Sequence, residues 1–150
     1  MLKPITVATA VGLIQLGIFP HLALSANPEH LLQLQTGNEC RNCDLSGADL
    51  TGLDLRGADL IGANLRKAIL SHANLMSANL TAADLQNAIL IETNLFSSNL
   101  SYANLSGANL QGAILVSANI NDTDFTGAVL QGSSGIEVGS QDLEINSSGD

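Results

Sequence analysis

From Cys43 the chain reads CDLSG ADLTG LDLRG ADLIG ANLRK, and units of five residues continue in the same register to residue 132. Eighteen units follow one another without an insertion or a deletion, and the third residue is Leu in 16 of them. Ala holds the first place in 13 units, and Asp or Asn usually holds the second. Helices and strands show periods of about 3.6 and 2 residues, so neither explains a strict period of five. The repeat must therefore decide the fold before local propensity does.

The composition agrees with a regular rather than a conventional core. The 150 residues are 45% hydrophobic but only 3% aromatic and 13% charged, so small and aliphatic side chains have to fill the interior. Lys and Arg number 5 against 14 Asp and Glu, a net charge of −9. This balance argues against nucleic-acid binding, which needs clustered Lys and Arg to neutralise phosphates. The length is that of one domain.

The two ends of the chain differ from the repeat. Residues 1–26 predict a secretory signal peptide: Lys3 is followed by an uncharged apolar run, and small residues precede a cut near Ser25 or Ala26. An uncleaved membrane anchor is the alternative, because the run is long enough to span a bilayer. Residues 27–42 predict a short helical cap, with Asn27 as its N-cap. Residues 133–150 predict a loosely ordered acidic tail.

The repeat resembles that of the pentapeptide-repeat family, whose consensus is A-(D/N)-L-x-x, over 90 of the 150 residues. The resemblance implies an all-β fold, a right-handed quadrilateral β-helix with four units per coil and about 4.5 coils here. The first and third residues of each unit would point inward. The residues agree with this, since alternating small and large aliphatic side chains fill a narrow shaft. Coils about 4.8 Å apart would make a rod of about 22 Å, with the helical cap at its N-terminal end.

Departures from the repeat place apolar residues on the outside of two adjacent sides, which we expect to share one apolar ridge. With four units per coil, residues twenty apart stack on the same side, and the departures recur at multiples of twenty. We interpret them as a candidate interaction surface, because exposed apolar patches often mark association sites. The alternative is that they only favour strand formation. The candidate residues are Ile69, Met76, Ile89, Ile91, Phe96, Ile114, Val116 and Val129.

The two cysteines, Cys40 and Cys43, predict a disulfide that ties the cap to the first coil if the protein is exported. Two free thiols are the alternative. A thioredoxin-like redox motif needs a βαβ context that is missing, and two cysteines alone do not make a structural zinc site. The Asp residues of the repeat occupy its own Asp/Asn place and suit turns. No catalytic residue, metal site or cofactor is predicted.

These observations predict a non-enzymatic exported protein that acts as a structural or protein-interaction module. The signal and the family resemblance indicate the periplasm or the thylakoid lumen. The expected partner is an unknown protein or a second copy in a weak homodimer, with no nucleic acid and no membrane contact except through an uncleaved signal. The alternative function is DNA mimicry, because some pentapeptide-repeat proteins resemble duplex DNA and bind DNA gyrase. A net charge of about −10 without Lys3 is compatible with it, but export and the short rod oppose it.

Overall fold

The computed structural model describes residues 26–136. Helix α1, Pro28–Gly37, comes first. A series of parallel single-residue bridges follows, each between residues twenty apart, from Glu39 with Asp59 to Ile114 with Ser134. Within residues 26–136 no helix is long and apolar enough to cross a membrane. The predicted signal peptide, apart from Ala26, and the predicted tail beyond residue 136 lie outside the described residues.

The bridges wind the chain into coils of twenty residues, with one five-residue unit on each of four sides. The bridge between Asp44 and Asn64 is typical. The N–H of Leu45 donates to the carbonyl of Asn64 at 2.8 Å, and the N–H of Asn64 donates to the carbonyl of Cys43 at 2.8 Å. Each unit is thus a very short parallel strand paired with the unit above and the unit below. Stacking the coils satisfies the backbone groups that a single coil would leave unpaired.

Each corner of the coil is a tight turn between consecutive units. The N–H of Ala48 donates to the carbonyl of Leu45 at 3.0 Å, which closes a four-residue turn. The fifth residue of all eighteen units has a positive φ, as the third residue of a type II turn requires. Glycine fills eight of these places, whereas others carry a side chain, such as Ala82 with φ 56°. A non-glycine residue held in this region costs about 1 kcal/mol or more.

The core is a column of side chains from the first and third residues of each unit. Every third-position Leu from Leu45 to Leu115 is at most 2% exposed. Two polar residues, Thr93 and Ser98, replace Ala in the interior, and their hydroxyls donate to the carbonyls of Leu70 and Leu95 at 2.7 and 2.8 Å. Among the described residues, no buried side-chain polar atom lacks a hydrogen-bond partner.

The second residue of each unit faces outward and supports the turn. In fourteen units it is Asp or Asn, and its side-chain oxygen accepts a hydrogen bond from the N–H two residues later. Asn74, for example, accepts from the N–H of Met76 at 3.2 Å. This Asx turn is the physical reason for the Asp/Asn preference. Four units carry an aliphatic residue instead: Ile69, Ile89, Ile114 and Val129.

Helix α1 lies over the N-terminal end of the coils. The side chain of Asn27 accepts from the N–H of Glu29 at 3.0 Å, and Asn38 ends the helix in the left-handed conformation. Leu34 is fully buried against the core. The N–H of Asp44 donates to Nδ1 of His30 at 2.9 Å, which fixes the helix to the first coil.

The coils begin earlier and end later than the predicted boundaries at residues 43 and 132. Residues 38–42 form a further unit in the same register, in which Cys40 takes the inward third place and donates its N–H to the carbonyl of Asp59 at 2.7 Å. Cys40 therefore belongs to the first coil and not to the cap, because the helix already stops at Asn38. At the other end, Ser134 still pairs with Ile114.

Candidate interaction surface

The four sides of the coil are named here by the first residues of their units. Side A has units beginning at 43, 63, 83, 103 and 123, and side B at 48, 68, 88, 108 and 128. Side C has units beginning at 53, 73, 93 and 113, and side D at 58, 78, 98 and 118. The second residue of a unit lies in the middle of its side, and the fourth lies at the corner toward the next side. Each coil contributes one row to every column of stacked residues.

The middle of side B carries an apolar column. Successive bridges join Asp49, Ile69, Ile89, Asn109 and Val129 in that order. Ile89 and Val129 are 36% and 46% exposed, and Ile69 is half-buried. Three of the five rows of this column are thus apolar, and the two isoleucines are adjacent. We call these five residues the B column.

A second apolar column follows the corner between sides C and D. It consists of Met76, Phe96 and Val116, the fourth residues of successive units on side C. Phe96 and Val116 are each 39% exposed, and Met76 is half-buried. We call these three residues the corner column.

The sequence analysis expected one continuous apolar ridge. The structure instead has two columns that are separated from each other. The middle of side C lies between them, and Asn74 and Asn94 occupy it next to Met76 and Phe96. Ile91, at the corner between sides B and C, and Ile114, in the last row of side C, reduce the gap at two points. Six of the eight predicted surface residues therefore lie in two separate columns, and Ile91 and Ile114 lie between these columns.

The aliphatic residues in the second place remove a hydrogen bond from their turns. The amides that an Asp or Asn would have bound are those of Ser71, Ile91, Val116 and Gln131, and none of them has an acceptor among the described residues. A net hydrogen bond contributes about 0.5–1.5 kcal/mol, so the replacements run against the stability of the coil. The sequence analysis predicted that Asp and Asn suit turns in this place, but it did not identify the amide that each of them binds.

Comparison with known proteins identifies the repeat. The family model described as Pentapeptide repeats matches in 8 copies, over residues 39–76, 73–112 and 93–132. The chain belongs to the pentapeptide-repeat family. Members of this family form right-handed β-helices, the fold described above.

The solved structures to which this chain is similar include two pentapeptide repeat proteins. A pentapeptide repeat protein from the thylakoid lumen of Arabidopsis thaliana is 33% identical, with a TM-score of 0.62 over 73% of this chain and 74% of that one. A pentapeptide repeat protein from the cyanobacterium Cyanothece 51142 is 31% identical over 71% of this chain and 94% of that one, with a TM-score of 0.34. QnrB1, a plasmid-mediated fluoroquinolone resistance protein, is 20% identical over 67% of this chain and 55% of that one, with a TM-score of 0.41. A search of curated proteins gives no match.

Charged pairs occur on all four sides of this pentapeptide-repeat protein. Two arginines pair with an aspartate of a neighbouring coil and Arg56 pairs within its own unit, at N–O distances of 2.6 to 3.0 Å, and all three pairs are at least partly exposed. His72 and Glu92 lie 3.3 Å apart at the corner between sides B and C. The pairs are Arg41 with Asp59, Arg56 with Asp54 and Arg66 with Asp84.

The aspartates of the repeat are committed to their turns. The hydroxyl of Thr51 donates to Asp49 at 2.6 Å and holds the pKa of that carboxyl below its usual value. The pKa of Asp44 is lowered in the same way by Ser46, and that of Asp124 by Thr126. Within residues 26–136, no group of three or more His, Cys, Asp or Glu side chains could hold a metal ion. These carboxyl groups therefore act as hydrogen-bond acceptors of the turns.

The two cysteines are joined in the first coil. Their Sγ atoms form a disulfide, with the Cα atoms 5.2 Å apart, and both residues are buried. Sγ of Cys40 lies 3.3 Å from the carbonyl oxygen of His30 in α1. The disulfide therefore lies directly under the helix, at the point where the chain passes from α1 into the coils.

Proposed function

We propose that this chain is an exported, non-enzymatic pentapeptide-repeat module that binds protein partners through the apolar columns of sides B and C. The observation that carries the proposal is the concentration of exposed aliphatic and aromatic residues on two adjacent sides, where the four aliphatic units also lack the turn hydrogen bond. If the aliphatic residues served only the fold, Asp or Asn would serve it better in these places. Exposed aliphatic columns are suited to contact with the surface of another protein chain, which excludes water from them.

The proposed location is the periplasm or the thylakoid lumen. Three observations support it: the secretory pattern of residues 1–26, the Cys40–Cys43 disulfide, which suits an oxidising compartment, and the similarity to a thylakoid-lumen protein of Arabidopsis thaliana. Cell fractionation with an antibody against the repeat tests it. A full-length product in the cytoplasm would contradict export and would favour the alternative of gyrase binding.

The charge pattern weighs against that alternative. A DNA mimic presents acidic groups along its length, as the phosphates of a duplex do. On side A the central column alternates between acid and amide, and Asp84 is paired with Arg66. On side D, Glu39 and Asp59 lie at the N-terminal end, and Asp59 is paired with Arg41. The resulting acidic surface is interrupted and partly neutralised.

Affinity capture with matched variants tests the binding surface. The wild-type chain, Phe96→Asp and Asn121→Asp are immobilised and exposed to the soluble contents of the compartment in which fractionation finds the protein. Both variants add one negative charge at a fourth position, Phe96→Asp in the corner column and Asn121→Asp on side D. We expect one protein to be retained by the wild type and by Asn121→Asp and to be lost with Phe96→Asp. Equal retention by all three would show that the corner column does not bind it.

A further inference from the structure

We propose that side B binds a second copy of this chain, with the two rods antiparallel and the two-fold axis between the rows of Ile69 and Ile89. This inference rests on the proposed function, since it assigns one of the two apolar columns to self-association and leaves the corner column to another protein. It concerns the B column together with its flanking corner residues, Ile91, His72 and Glu92.

Side B has fewer acids in its central column than sides A and D, and it has more aliphatic residues there than side C. Its central column contains one acid, Asp49, at its N-terminal end. The central column of side A contains three, Asp44, Asp84 and Asp124. Because like charges across an interface disfavour association, two copies should meet through the column with one acid and three aliphatic residues.

The position of Asp49 decides the relative direction of the rods. If the rods were parallel, each residue of the B column would face its own counterpart, and Asp49 would face Asp49 of the second copy. If they are antiparallel about an axis between the second and third rows, Ile69 faces Ile89 of the second copy and Asp49 faces Asn109. The amide of Asn109 can donate to the carboxylate of Asp49, so apolar meets apolar and polar meets polar. A two-fold axis makes each of these contacts twice.

The corner beside the column supports the same register. In one chain His72 and Glu92 occupy successive rows, the second and the third, as Ile69 and Ile89 do. The antiparallel register therefore places His72 opposite Glu92 of the second copy. Moving the axis onto the row of Ile89 would place Glu92 opposite Glu92 and Asp49 opposite an aliphatic residue. Of these two registers, the one between the rows of Ile69 and Ile89 has no like-charge contact.

The contact area that side B offers limits the affinity of the proposed dimer. In this register four rows of each copy overlap, because Val129 has no counterpart row, and at about 4.8 Å per row the contact is about 15–20 Å long. A standard interface buries about 800 Å² per partner, and one side of so short a rod falls at or below this size. We therefore expect a reversible dimer that is populated at micromolar concentrations or above.

Sedimentation equilibrium of the chain without its signal tests the pairing. We expect the wild type to dimerise and Ile89→Asp to weaken dimerisation by about tenfold or more, which corresponds to about 1.4 kcal/mol. The control Asn99→Asp adds the same charge in the middle of side D, where Asp also preserves the turn, and should dimerise like the wild type. Thermal unfolding verifies that both variants fold. A wild type that stays monomeric at millimolar concentration, or an Ile89→Asp variant that associates unchanged, would overturn the inference.

Cysteine cross-linking tests the register, with the native disulfide left intact. The variants Ile69→Cys and Ile89→Cys are oxidised separately and as a mixture, and the products are identified by mass. The proposed register predicts that the mixed dimer forms in excess over either homodimer. Efficient self-linking of both single variants would instead indicate parallel rods, and self-linking of only one of them would place the axis on its row; either result overturns the register.

The two proposals fail separately. If the chain is monomeric but a protein is still captured by the corner column and lost with Phe96→Asp, side B has no second copy and the proposed function stands. If the chain dimerises as described but no protein depends on Phe96, self-association stands and the proposed function fails.

Discussion

Replacing Val129 with Asn should make the coil more stable, although it puts a polar residue where an aliphatic one now stands. Val129 is the second residue of its unit, and the N–H of Gln131 has no acceptor among the described residues. An Asn side chain at this place would accept from that N–H, as Asn119 accepts from the N–H of Asn121 at 3.2 Å on side D of the same coil. The substitution would therefore restore the turn bond that the other units have.

The size of the effect follows from the neighbours of Val129. The turn bond is solvent-exposed, so its net contribution lies in the lower part of the usual range, about 0.5–1 kcal/mol. Val129 is 46% exposed and stacks on Asn109, so the substitution removes no pairing with an aliphatic residue of the column. The strand preference of Val works in the opposite direction but acts mainly through such pairing. For a domain of this size, the expected gain raises the midpoint of thermal unfolding by about 2–5 °C.

Differential scanning calorimetry at neutral pH measures this gain against a reciprocal control. Asn119→Val is in the same coil, is stacked on Asn99, and removes the bond that Val129→Asn creates. We expect the midpoint to rise with Val129→Asn and to fall by a similar amount with Asn119→Val. If the signs are reversed, strand preference outweighs the turn bond, and the aliphatic residues of the surface need no explanation beyond the fold.

Three further predictions concern the interior, the cysteines and acid stability. Leu85→Asp places a carboxylate in the shaft and should lower the free energy of unfolding by several kcal/mol. Gln86→Asp, on the outside, should lower it little. Equal losses in thermal unfolding would show that the five-residue register of the repeat is wrong. Exported protein trapped with a thiol-alkylating reagent should carry no label on Cys40 or Cys43, and two labels by mass spectrometry would exclude the disulfide. The carboxyl group of Asp49 has a lower pKa in the folded protein than in the unfolded chain, where it is about 3.9. Its ionised form therefore stabilises the fold fully above the unfolded pKa, and this stabilisation is lost as the pH falls through the folded pKa. Urea unfolding should therefore show the difference between wild type and Asp49→Asn shrinking from neutral pH to about pH 2–3, and a constant difference would argue against the shift.

The period of five led to the family resemblance, which implied the coil and the inward places, and the burial of a third-position Leu such as Leu85 agrees with it. It did not reveal where the coils begin. The unit at residues 38–42 has neither Ala nor Leu, and only the pairing of Glu39 with Asp59 identifies it. Stacking by twenty residues also predicted which aliphatic residues share a side. It could not show that the fourth place lies at a corner, so Ile89 and Phe96 were expected in one ridge and lie in two columns.

The bridges between residues twenty apart also limit how a chain of this kind can change its length. An insertion of one residue would move Leu out of the shaft in every later unit. A duplicated unit of five residues would keep the interior intact but turn all later units by a quarter of the circumference, so that Val129 would leave the side that carries Ile69 and Ile89. Only a duplication of a whole coil would lengthen the rod and leave every outward residue on its own side. The interior therefore tolerates growth in steps of one unit, but a binding surface survives only growth in steps of four.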